Sequence, residues 1–204
     1  MLHARLGGNE GKIMTAIQAN GITIEYETRG AASDPALILV RGLGTQLINW
    51  PENLLQRLVA MAFYVVVFDN RDVGLSTKFD GAIVPEIKAL LATARAGEDF
   101  AVAYTLDDMA NDVVGLMDAL NIEKAHVAGI SMGGAIVQVL AAKHGGRLRS
   151  MASIMAQSGN PDTPTGTVAA MSALMREGAD ENTRDGAIKA NIATARILAS
   201  PNYP

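Results

Sequence analysis

The chain has 204 residues, 49% of them hydrophobic and 19% charged, with a net charge of −4 and no cysteine. One domain of this length can bury a substantial core, and the absence of cysteine excludes disulfide staples, thiolate catalysis and cysteine-based zinc sites. Lysine and arginine are scattered rather than clustered, which argues against nucleic acid or an anionic membrane surface as partner and favours a small neutral molecule, with the oligomeric state left open.

Met1–Lys12 is polar and glycine-rich, with no apolar h-region, and residues 1–14 read as a flexible leader in which Met14 is an alternative start. No later run is long enough to span a bilayer, and the cytoplasm is the default location. Ala16–Gln18 and Ile22–Thr28 flank an Asn20-Gly21 turn, a strong hairpin signal. Ala36–Val40 is a continuous apolar run bounded by Asp34-Pro35 and Gly42, as expected of a strand buried on both faces. A helix is expected over Pro51–Met61, a second buried strand over Phe63–Phe68, and a polar loop over Asp69–Ser76. Thr105 and Asp108 have the spacing of a capping box, opening a helix with Leu106, Met109, Val113, Leu116, Met117 and Leu120 on one face. Gly145-Gly146 stops the following helix, Met151–Ala156 reads as a strand, and Thr163–Ala199 is helical sequence interrupted near Gly178. A hairpin followed by alternating strands and helices predicts an α/β fold, a mixed and mainly parallel sheet with helices on both faces.

The richest stretch is Ala125–Gly134, where Ser131 stands between Gly129 and Gly133 at the end of an apolar run. A strand that turns at once into a helix forces its corner residue into a crowded backbone, and glycines two positions to either side relieve the crowding. The pattern reads as a nucleophile elbow. The competing reading, a serine that merely caps a helix, explains one residue but neither flanking glycine.

Three loops are expected at the carboxyl ends of the strands, where ligands bind in such sheets. Arg41-Gly42-Leu43-Gly44, the Asp69–Ser76 run Asn70-Arg71-Asp72-Val73-Gly74-Leu75-Ser76, and Gly129–Gly134 resemble, in order and spacing, the signature loops of the α/β-hydrolase superfamily. Within it the wording resembles serine esterases of the aclacinomycin methylesterase type over about Thr15–Gln157, and less specifically over 158–204. The resemblance implies hydrolysis of a carboxylic ester or similar acyl bond of a small molecule through an acyl-enzyme on Ser131. No cofactor and no metal are implied. The oxyanion donors would be the backbone amides of Met132 and Leu43, with Gly42 and Gly44 letting the loop approach the substrate. Many relatives begin this loop with His-Gly, where this chain has Arg41. Arg41 is expected to pair with a carboxylate and hold the loop, or else to meet an acidic substrate. Asp69 and Arg71 are expected to support the site rather than react. Trp50 and Pro51 are expected to pack a helix start, and Met151, Met155, Met171 and Met175 to fill core or cap.

The base is harder to find. His144 lies thirteen residues along a helix from Ser131, about 20 Å away. His126 stands at the far end of the elbow strand and His3 in the leader, so none of the three fits. Asp162 could mimic an acid site, but Asn160–Pro164 reads more simply as a turn and helix start. The resemblance implies a helical cap after Ala156 and then two further strands carrying the acid and the histidine. The chain therefore reads as a leader at 1–14, the N-terminal part of the hydrolase core at 15–157 and the start of a cap at 158–204. Its last strand would leave an edge unpaired. Two alternatives stand beside the esterase: a binding protein that keeps the pocket without a base, and a related serine enzyme such as a cofactor-free haloperoxidase or a C–C bond hydrolase. Epoxide hydrolases and haloalkane dehalogenases are disfavoured, because those relatives carry aspartate where this chain has Ser131.

Overall fold

The computed structural model describes residues 5–6, 13–83, 85–98, 100–160, 162–163, 166–174 and 183–199. His3, Met175, Gly178 and the Pro201–Pro204 tail lie outside them. Among the described residues seven strands form one sheet in the order β1-β2-β3-β5-β4-β6-β7. β1 (Arg5–Leu6), β2 (Ile13–Ala19) and β3 (Ile22–Arg29) are antiparallel, and β3 also runs antiparallel to β5 (Tyr64–Phe68). β5, β4 (Ala36–Val40), β6 (Ala125–Ile130) and β7 (Leu148–Ile154) are mutually parallel. The strand pairing begins earlier than the side-chain pattern indicated, because Arg5–Leu6 and Ile13–Met14, assigned to the leader, carry main-chain ladders that no periodicity advertises.

The central strands are apolar on both faces because both are covered. In β4, Ile38 and Val40 face a core shared with Val66, Phe68, Val113, Leu116, Ile136 and Leu140, while Leu37 and Leu39 face Leu47, Trp50, Leu55, Val65 and Val67. The first core is closed by α3 (Leu106–Ala119) and α4 (Met132–His144), the second by α1 (Glu52–Ala60). This is the period-two alternation of a strand realised against helices on opposite sides. One helix, α2 (Ile87–Ala96), was not foreseen from the sequence. β7 is exposed along nearly its whole length. Among the described residues no strand pairs its outer edge, where Met151 and Ile154 are exposed, as is Met155 just beyond the strand.

Residues 1–158 and 159–204 form separate compact units. In the second, α5 (Val168–Leu174) and α6 (Arg184–Leu198) pack together, and the Thr183 hydroxyl oxygen caps α6 by accepting the Gly186 N–H at 3.0 Å. Neither helix has a buried residue. Among the described residues no helix is long and apolar enough to cross a membrane.

A buried ion pair ties α3 to the loop after β5. Arg71 donates from Nε and Nη2 to the two Asp112 carboxylate oxygens, each at 2.7 Å, and Asn20 of the β2–β3 turn donates to Asp112 at 2.8 Å. Asp112 is only 2% exposed. Removing one partner of such a pair strands the other charge in the protein, so Asp112→Ala is expected to lower unfolding free energy by about 3–5 kcal/mol in urea denaturation. A loss below about 1 kcal/mol would mean that Arg71 finds water or another acceptor.

Candidate active site

β6 ends at Ile130 and α4 begins at Met132, leaving Ser131 alone at the corner. Its backbone has φ 57° and ψ −124°, a sparsely populated conformation that costs a non-glycine residue about 1–3 kcal/mol and persists only where the surroundings enforce it. They do. The Ser131 N–H donates to the Ile154 carbonyl at 2.9 Å, and the Ser131 carbonyl accepts the Gly134 N–H at 2.8 Å. The corner also needs close backbone approach: a Cβ on Gly129 would strike the Gly133 carbonyl, and one on Gly133 the Val40 carbonyl. Ser131 makes no capping bond to α4 and its backbone is not extended, so the capping explanation fails. The side chain stands exposed.

The register Val40↔Gly129 and Leu39↔Val67 sets the ends of β4, β6 and β5 side by side, so their loops leave the sheet together. Gly42 lies against the corner: a Cβ there would sit 3.1 Å from Ser131 Cβ and 3.4 Å from Ser131 Oγ. A turn follows, closed by the Thr45 N–H on the Gly42 carbonyl at 3.3 Å with Gly44 at φ +62°, and it leaves Leu43 77% exposed. Asp69 and Asn70, both buried, hold this loop. Asp69 Oδ1 accepts the Leu47 N–H at 2.7 Å, Oδ2 accepts the Leu75 N–H at 3.0 Å, and Asn70 Nδ2 donates to the Arg41 carbonyl at 3.0 Å. Asp69 thus clamps two loops rather than facing solvent.

Arg41 departs from expectation. Instead of pairing with a carboxylate, its guanidinium lies over the Trp50 ring, 4.7 Å from the centroid. The negative face of the indole attracts the cation there. Burial pushes its pKa down, and neither Arg41 Nε nor Trp50 Nε1 has a hydrogen-bond partner among the described residues. Trp50 itself is buried against Leu37, Leu39 and Leu55, as a helix-start residue.

A cavity of about 470 Å³ is lined by Leu43, Gly44 and Met132, by residues 71–73, by Phe100, Val102 and Tyr104, and by Thr105, Leu106 and Met109 at the start of α3. Arg71 lies in its wall, its guanidinium 5.3 Å from the Phe79 centroid and 5.1 Å from that of Tyr104. Burial, together with the hydrogen bond and charge of Asp72, pushes the Tyr104 phenol up to about 12. Sequence reasoning missed Phe100, Val102, Tyr104 and Asp112. The one available signal was a cluster of apolar and aromatic residues in a loop just before a capping sequence. Asp108 does accept the Thr105 N–H at 2.7 Å, as that sequence indicated.

His126 and His144 are engaged elsewhere. His126 Nδ1 is 2.7 Å from Ser150 Oγ and its ring meets Phe63 edge to face, and His144 Nε2 is 2.9 Å from Asn111 Oδ1. In the second unit, the Asp162 N–H donates to Asn160 Oδ1 at 2.9 Å, the turn that the sequence suggested.

Residues 35–184 match the family model described as alpha/beta hydrolase fold. The chain is 30% identical over 125 residues to rhodomycin D methylesterase DauP of Streptomyces sp. (strain C5), covering 61% of this chain and 36% of that protein. It is likewise 30% identical over 125 residues to 3-oxoadipate enol-lactonase 2 of Acinetobacter baylyi (strain ATCC 33305 / BD413 / ADP1), covering 61% of this chain and 38% of the relative. The chain thus spans well under half the length of these relatives. Among solved structures, the enol-lactonase from Burkholderia xenovorans LB400 superposes with a TM-score of 0.58 at 25% identity, over 89% of this chain and 65% of that one. With a strand–serine–helix corner, a mainly parallel sheet and a family match over most of its length, this chain belongs to the alpha/beta hydrolase fold family.

Proposed function

We propose that this chain supplies the nucleophile and oxyanion hole of a serine hydrolase that cleaves a carboxylic ester or similar acyl bond of a small molecule. The observation that carries the reading is Ser131 itself, held at φ 57° with an exposed side chain that caps nothing. A serine held in a strained backbone at the carboxyl edge of the sheet is what a nucleophile elbow requires. The relatives support the same reaction class, since a methylesterase and an enol-lactonase are both named for opening an acyl–oxygen bond.

Ser131 Oγ attacks the carbonyl carbon while a base takes its proton. The carbonyl π bond breaks and leaves an oxyanion, which accepts hydrogen bonds from the Met132 and Leu43 N–H groups. Met132 opens α4, so its amide lacks a partner within the helix and points along a dipole that favours negative charge. Collapse of the intermediate expels the alcohol, which takes the proton from the base, and water then releases the acid from the acyl-enzyme. Asp69 and Asn70 act as positioning residues for the Leu43 loop. The base and its orienting acid come from outside the described residues, because His126 and His144 are bound elsewhere and too far along their elements. The helices α5 and α6 begin a cap.

The same histidine positions favour a second reading, a binding protein that has the elbow without the base. Ester turnover separates the two. In the protein expressed from its whole reading frame, Ser131→Ala should lower kcat/KM for a p-nitrophenyl ester on the order of 10³-fold or more. Turnover equal in both would leave the binding reading. Asp69→Asn should lower kcat about tenfold or more with little change in KM, since a displaced oxyanion donor weakens the transition state selectively. An effect confined to KM would place Asp69 in substrate binding. The 204-residue chain alone should show no turnover above its Ser131→Ala form. A large serine-dependent rate with a titration near neutrality would mean that one of its own histidines is the base.

A further inference from the structure

The wall of the 470 Å³ cavity contains charged and polar side chains, yet its cation, Arg71, is already paired, and its exposed carboxylate, Asp72, can only repel an anion. Arg71 is chelated by both Asp112 oxygens at 2.7 Å and sandwiched against Phe79 and Tyr104. Asp72 Oδ1 accepts the Phe79 N–H at 2.7 Å, and the Tyr104 phenol is hydrogen-bonded to the Asp72 side chain. The Thr105 hydroxyl donates to Asp108 at 2.9 Å. What remains is hydrocarbon: Val73, Phe100, Val102, Leu106 and Met109, with Leu43 and Met132 at the side nearest the elbow. Leu106 and Phe100 are exposed large apolar residues, which makes sense for a surface that a ligand covers. The volume falls in the range of roughly 300–1,000 Å³ typical of small-molecule sites.

From this satisfied wall we infer that the cavity receives an uncharged, apolar arm of the ester, alkyl or aryl, and rejects an anionic one. Arg71 is not a carboxylate receptor, because its charge is already met by the two Asp112 oxygens. A carboxylate entering here would lose its water without gaining a counter-ion. The inference rests on the serine-hydrolase reading for what the arm is attached to, but its test does not.

The intact protein carrying Ser131→Ala binds esters without turning them over, so affinities can be read by ligand-observed NMR titration. Methyl butanoate, methyl pentanoate and methyl hexanoate should bind about fourfold more tightly with each added methylene, the gain from moving it out of water. Monomethyl adipate, which ends a similar chain in a carboxylate, should bind at least about tenfold more weakly than methyl hexanoate. Val102→Trp, on a surface loop and so tolerant of substitution, should abolish the chain-length gain by filling the cavity. A flat series, or an adipate monoester bound as tightly as the hexanoate, overturns the proposal. A rising series in a protein whose unmutated form shows no ester turnover would keep the cavity and discard the hydrolase reading. Turnover with a flat series would do the reverse.

Discussion

Everything at the site depends on one backbone constraint: the chain must pass from β6 into α4 in a single residue, and that residue is not glycine. Ser131 at φ 57° is held there by its N–H on Ile154, by its carbonyl at the start of α4, and by a crossing so tight that Gly129 and Gly133 have no room for side chains. The same crossing brings the β4 end under the corner, since Gly133 abuts the Val40 carbonyl and Gly42 abuts Ser131. Placement of the Gly42 loop beside the serine is therefore a consequence of sheet register and close packing.

The rest of the first unit transmits rigidity to that point. Asp69 and Asn70 hold the Leu43 loop from the neighbouring strand end, and Arg71, the next residue, is locked by Asp112 on α3. Three consecutive residues thus tie three elements together through side chains that are nearly all buried. None of these bonds is exotic, but each neutralises a group that would otherwise be costly to bury. The cavity inherits part of this self-sufficiency, since the Arg71 charge in its wall is already met by Asp112.

Much of this was legible in the sequence because it is written locally. The two-sided strands at Ala36–Val40 and Tyr64–Phe68 appear as unbroken apolar runs, the hairpin as Asn-Gly, and the elbow as glycines at fixed offsets. What was not legible is non-local. Asp112 lies 41 residues from Arg71, and on its helix it reads as one more polar position. Arg41 gives no sign that it will stack on Trp50 instead of meeting a carboxylate. Phe100 and Val102 look like loop residues until a cavity is seen behind them. β1 pairs through its main chain, which no side-chain pattern records.

The central claim is that the strained serine is the reacting one. The most direct measurement is treatment of the protein from its whole reading frame with a fluorophosphonate, followed by digestion and mass spectrometry of every serine-containing peptide. The account predicts a single phosphonate adduct on the peptide containing Ser131, lost in Ser131→Ala. An adduct on another residue, with the Ser131 peptide unmodified, would contradict it.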